Sequence, residues 1–131
     1  IHLGEQVVGD GLAVQGHAHV RGAERQIQAA AVVACAGCLS LVRFRMADGV
    51  TIYEKQVDAE IVSLSGTISE HVHISVCDQD LHTFGGHLTS GCLVHTTAEI
   101  VLLRLDGWRL TRKPDPLTGY DELNAERIGE A

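Results

Sequence analysis

EIVSLSGTIS at residues 60–69 and HVHISVC at residues 71–77 decide how this chain folds. Both are short runs rich in Val, Ile, Ser and Thr, residues that suit a pleated and half-buried surface. In the second run Val72, Ile74 and Val76 leave one face of a strand while His71 and His73 leave the other. That period of two predicts a sheet with one covered face, and the covered face here is aliphatic.

The flanking segments extend the same pattern. Leu39–Met46 puts Arg43 and Arg45 on one side and Val42, Phe44 and Met46 on the other. Asp48-Gly49 is a hairpin turn that returns the chain into Val50–Val57. Ala31–Ala34 reads as a short apolar strand ending in a turn at Cys35-Ala36-Gly37-Cys38. Downstream, the polar stretch Asp78–His82 forms a turn before Phe84-Gly85-Gly86, and strands follow at Leu88–Val94 and Thr96–Leu105. The last of these is nearly all apolar and is expected to be a central strand. Asp106-Gly107 turns the chain into Trp108–Arg112. Beyond it, residues 113–131 hold two prolines and five acids and are expected to pack along the surface. Ala23–Ala31 has helical propensity, but Gly9, Gly11, Gly16 and Gly22 interrupt anything longer upstream. The expectation is one domain over residues 1–131: an α+β fold, mostly antiparallel sheet, with one or two short helices.

Composition narrows the functional classes. The 131 residues suffice for one core, built from Val, Leu, Ile and Ala because only five residues are aromatic. The formal net charge is −7, which disfavours a nucleic-acid backbone as partner. No apolar stretch approaches the roughly 20 residues of a membrane span. Four cysteines without Cys-dense spacing suit a reducing, cytoplasmic compartment. The chain begins at Ile1 rather than Met, so the expectation is a chain trimmed or partly unobserved at that end, with a leader upstream of Ile1 left open.

Eight histidines are many for this length. Two imidazoles on one face of a strand, His71 and His73, supply half of a tetrahedral site. His87 follows Gly85-Gly86, whose permissive backbone offers to swing a third imidazole over the strand. Three histidines plus water mark a catalytic or ligand-accepting zinc, since structural zinc is normally closed by four protein ligands. Each ring would hold its other nitrogen against a carbonyl, carboxylate or water. The plain alternative is two half-exposed strand histidines and one loop histidine. His17 and His19 form a second such pair in the glycine-rich N-terminal region, where solvated loop residues are the simpler reading, and His2, His82 and His95 are assigned no role. Cys35-x-x-Cys38 bridges two strands rather than opening a helix, so its thiols read as small apolar residues and not as a redox pair. Gly85-Gly86 lacks the Lys and Ser/Thr of a phosphate loop, and no serine has the flanking glycines of a nucleophile elbow.

Taken in order, AAAVVACAGCLSLVRFR, EIVSLSGTIS, HVHISVCDQD, GGHLTSGCLVHTTAEIVLL and DPLTGYDEL resemble the plants-and-prokaryotes-conserved (PPC) domain across about residues 27–124. The resemblance implies a compact α+β domain that assembles into homotrimers. It also implies a zinc site, since the bacterial His-x-His and Gly-Gly-His motifs match His71, His73 and His87. Plant members are joined to AT-hook motifs, and bacterial members are often labelled DNA-binding by that association. This chain departs in three places. It has no AT-hook, residues 6–26 lack the family's amphipathic helix, and Cys35 and Cys38 stand where Ser and Gly are usual. More distantly the fold resembles acetolactate decarboxylase, a lyase with three histidines on zinc, an analogy of fold only.

Three functions follow from this reading. The first is a homotrimeric zinc-binding domain with a small-molecule ligand at the metal. The second is a DNA-binding or transcription-associated module. The third is a zinc enzyme, for which Glu60 and Glu99 are the candidate acids or bases, so whether the chain is an enzyme stays open. Net charge argues against the second.

Overall fold

A sixteen-residue strand, β1 at Ala30–Arg45, organises the computed structural model, which describes residues 29–67 and 71–129. β1 turns through Asp48-Gly49 into an equally long β2 at Ile52–Thr67. Gly49 takes φ 78° there, and Asp48 Oδ1 accepts the amides of Val50 and Thr51 at 3.0 and 2.8 Å. β3 at His71–Asp78 returns along β2, and β4 at Thr83–Leu88 returns along β3. β5 at Leu93–Arg104 then runs antiparallel to β1. β6 at Trp108–Pro114 and β7 at Asp121–Arg127 form a separate two-stranded hairpin.

The pairing closes on itself. β1 pairs with β2, β2 with β3 and β3 with β4, and β4 comes back to β1 through Phe44↔Leu88 and Arg45↔His87. This four-stranded ring encloses the core, in which Leu39, Val42, Phe44, Ile74, Val76 and Leu88 are buried. Phe44 stacks on Tyr53 with ring centroids 4.9 Å apart, so two of the few aromatic residues are spent on one plug. Asp78 is buried at the β3–β4 turn, where its Oδ1 accepts the amides of Asp80 and His82 and thereby fixes the turn.

Four expectations from the sequence need correction. No helix occurs among the described residues, and all seven elements are strands. The helix expected over Ala23–Ala31 lies largely outside the described residues, and Ala30 already begins β1. Cys35–Cys38 is not a turn, because the strand continues through it. A Cβ on Gly37 would lie 2.3 Å from the Thr97 carbonyl oxygen, so glycine serves a close approach of β1 to β5 rather than a reversal. Among the described residues Thr96–Leu105 belongs to an edge strand: β5 pairs there only with β1, and Val101 and Leu103 stay 50% and 54% exposed. Continuous apolar character here reflects two apolar faces, not a central position. Finally, the strand expected at Leu88–Val94 is broken: Phe84-Gly85-Gly86 lies within β4, which ends at Leu88, and β5 begins only at Leu93. The segment from residue 113 supplies the end of β6, a turn and β7. Among the described residues no helix is long and apolar enough to cross a membrane.

Candidate metal centre

Register, not loop flexibility, builds the site. β3 and β4 pair so that His73 sits directly opposite His87, with Ile74 opposite Gly86 and Ser75 opposite Gly85. His71 lies two residues before His73 on the same face. The alternate residues Ile74 and Val76 are buried in the ring, which forces the imidazoles outward. Glycine at 85 and 86 is required by proximity. A Cβ on Gly85 would lie 1.9 Å from the Ile74 carbonyl oxygen, and one on Gly86 would lie 2.7 Å from the Phe44 ring. The glycines therefore draw β4 against β3 and β1, and His87 arrives as a strand residue.

The three rings form a nearly equilateral triangle, with centroids 5.1, 5.4 and 5.5 Å apart. One ring nitrogen from each lies within 4.8 Å of the others. Nε2 of His71 and Nε2 of His73 are 3.2 Å apart. Two nitrogens bound at about 2.0–2.1 Å to a tetrahedral ion stand about 3.3–3.4 Å apart, so this pair is already spaced for chelation. His71 and His73 are exposed and His87 half-buried, which leaves one side of the triangle open to solvent.

The charge around the triangle was not evident from the sequence. Arg45 faces His87 across the β1–β4 pair, and its Nη2 lies 3.3 Å from His87 Nδ1. A guanidinium only donates, so Nδ1 accepts this hydrogen bond and a neutral His87 carries its proton on Nε2. The expected carbonyl or carboxylate partner is thus replaced by a cation. Burial, followed by Arg45, His71, His73 and Arg112, lowers the His87 pKa from 6.5 to about 4. Burial, then Arg112, His73 and Arg45, also lowers that of His71, against an opposing pull from Glu122. Both rings are consequently neutral at neutral pH, the state in which imidazole ligates metal.

The other candidates fall elsewhere. Glu60 lies opposite Cys77, four residues along β3 from His73 and so roughly 13 Å away at the rise of a strand. Glu99 pairs with Ala36 on the far side of β1. His95 pairs with Asp58, and His82 caps the turn beside Asp78. Cys35 and Cys38 are half-buried free thiols; burial raises both pKa values, with Glu60 and Asp58 adding to the shift at Cys38. His2, His17 and His19 lie outside the described residues. Arg45, Arg112 and Glu122 are the neighbours that sequence reasoning missed. Arg45 lies on the face that strand alternation predicts, and the closure that brings β1 to β4 is what places it beside His87.

A small closed sheet with three convergent histidines on its outer face defines the class, and the comparisons give the family. The model of the Plants and Prokaryotes Conserved (PCC) domain, the family abbreviated PPC above, matches residues 20–106. The chain belongs to this family. It is 42% identical over 111 residues to the bifunctional protein GlmU of Synechococcus sp. (strain JA-3-3Ab), a match that takes 82% of this chain and 18% of that protein. The chain therefore spans less than a fifth of the curated relative's length. Among solved structures, a hypothetical protein from Salmonella cholerae-suis (Salmonella enterica) shares 35% identity at TM-score 0.76, covering 79% of this chain and 77% of that one. A metal-containing protein from Archaeoglobus fulgidus shares 25% identity at TM-score 0.55, covering 73% and 74%.

Proposed function

We propose that this domain binds one zinc ion through His71, His73 and His87 and accepts a small-molecule ligand at the metal, within a homotrimer. The observation that carries the reading is the convergence of three imidazoles from two register-locked strands, with two nitrogens 3.2 Å apart. Three nitrogen ligands leave a tetrahedral ion one open position, and zinc held there supplies a Lewis acid. The Archaeoglobus neighbour, described as metal-containing, supports a metal in this fold. Glu60 and Glu99 stand apart from the triangle, which favours ligand binding over the lyase-like chemistry weighed from sequence.

Assembly draws support from the apolar surface of β1 and β5. Val33 of β1 is 61% exposed, and Val101 and Leu103 of the neighbouring β5, an edge strand among the described residues, are 50% and 54% exposed, a combination that a cyclic assembly covers. DNA binding is the weaker reading. Beyond the net charge of −7, Arg43 is paired with Glu54, Arg104 with Asp106 and Lys113 with Glu126. The test is elemental analysis of the purified chain beside His73→Ala and His87→Ala. One zinc per wild-type chain, lost in both variants, is the expected result. A metal-free wild type that also ignores added zinc refutes the reading.

A further inference from the structure

We propose that the open position of the metal takes a small oxyanion, a carboxylate or phosphate group, gripped by Arg45. The inference rests on the metal reading above and names the chemistry of its ligand.

Arg45 differs from the other arginines around the sheet. Arg43, two residues earlier on the same face of β1, is held by Glu54 at 2.9 Å and by the Ser90 carbonyl at 3.1 Å. Arg104 is held by Asp106. Among the described residues Arg45 has no carboxylate partner, and its guanidinium rests on a ring nitrogen of His87. Metal binding must break that contact whichever nitrogen the ion takes. An ion on Nδ1 displaces the guanidinium directly. An ion on Nε2 moves the ring proton to Nδ1, which then donates and cannot accept from an arginine. Either way Arg45 is released, yet the Arg45↔His87 register keeps it beside the ion.

Charge then identifies what it holds. Imidazole ligands carry no charge and so leave a divalent ion its full charge, and Arg45 adds a further positive group against Glu122. A neutral ligand leaves this surplus uncompensated. An oxyanion balances it, with one oxygen on the metal and another on the guanidinium in a charge-assisted hydrogen bond. Gly85, two residues before His87 on the same face of β4, leaves the surface beside the imidazole free of a side chain.

The experiment loads the full chain with Co2+, whose visible spectrum reports its ligands, and titrates it with acetate, inorganic phosphate and neutral acetamide. Arg45→Gln is expected to bind Co2+ at least as tightly as wild type, because a repelling charge is gone. It should bind the responding oxyanion about tenfold more weakly, the loss of one charge-assisted hydrogen bond. These opposite directions are the signature, since a merely structural role for Arg45 would weaken both. Whichever of acetate and phosphate shifts the wild-type spectrum assigns the class. Equal oxyanion affinity in wild type and Arg45→Gln, or acetamide binding as well as acetate, overturns the inference while leaving the metal reading intact. Failure of wild type to take up Co2+ overturns both.

Discussion

Gly85→Ala is the substitution that most directly couples the fold to the site. The added Cβ would lie 1.9 Å from the Ile74 carbonyl oxygen and 2.9 Å from the carbonyl carbon of Ile74 and the Cα of Ser75. All three are backbone atoms, so no rotamer change relieves the clash. Carbon–oxygen contacts between strands settle near ~3.3 Å, so β4 must back away from β3 by about 1.4 Å. A ladder hydrogen bond of about 2.9 Å does not survive that displacement. Losing one or two such bonds at about 1 kcal/mol each, on top of local overpacking, costs about 2–4 kcal/mol. For a domain of this size that lowers Tm by roughly 8–15 °C. The same shift carries His87 off its position opposite His73 by more than the ~0.5 Å a preorganised site tolerates, so zinc affinity falls at least about tenfold. Thermal unfolding followed by circular dichroism reads the first effect, and a competitive titration against a chromophoric chelator reads the second. Gly119→Ala is the control: its Cβ meets nothing, but φ is +76°, which isolates a backbone cost of about 1–2 kcal/mol without touching the site. A Gly85→Ala protein with wild-type Tm and wild-type zinc affinity would show that close approach of β3 and β4 is not what places His87.

Three further outcomes are expected. His87 has a folded pKa of about 4 against 6.5 in the unfolded chain, so between those values the unfolded state binds more protons and the stability of metal-free protein falls as pH drops through that window; denaturant titrations across it should show a slope that His87→Gln flattens, and an unchanged slope in that variant refutes the assignment. Light scattering of the purified chain at micromolar concentration should give three times the 14.1 kDa chain mass, and a monomer contradicts the proposed assembly. Anisotropy titration with AT-rich duplex at about 0.15 M salt should show no useful binding, whereas submicromolar, salt-sensitive affinity lost on replacing Arg109 and Arg112 by Ala would restore DNA as a partner.

Side-chain alternation was legible in the sequence, and register was not. The faces of β1 and β3 followed directly from a period of two, which is why Val42, Phe44, Ile74 and Val76 were placed inward and Arg43, Arg45, His71 and His73 outward. The turns at Asp48-Gly49 and Asp106-Gly107 were legible because both glycines take a positive φ, 78° in each case. Gly85 and Gly86 misled because glycine signals two different things, a left-handed backbone or a missing side chain, and only the second applies to them. Among the described residues, the edge position of β5 follows from its long-range pairing with β1, and the link between Arg45 and His87 from a ring closure between residues 42 apart; neither shows in local alternation. That closure ties core and site together. Phe44↔Leu88 and Arg45↔His87 are consecutive pairs of one register, the first facing the buried interior and the second the histidine triangle. Slipping that register by one residue would turn the aromatic plug out to solvent and the arginine into the core. The apolar packing inside the ring therefore selects the arrangement of charge and imidazole outside it.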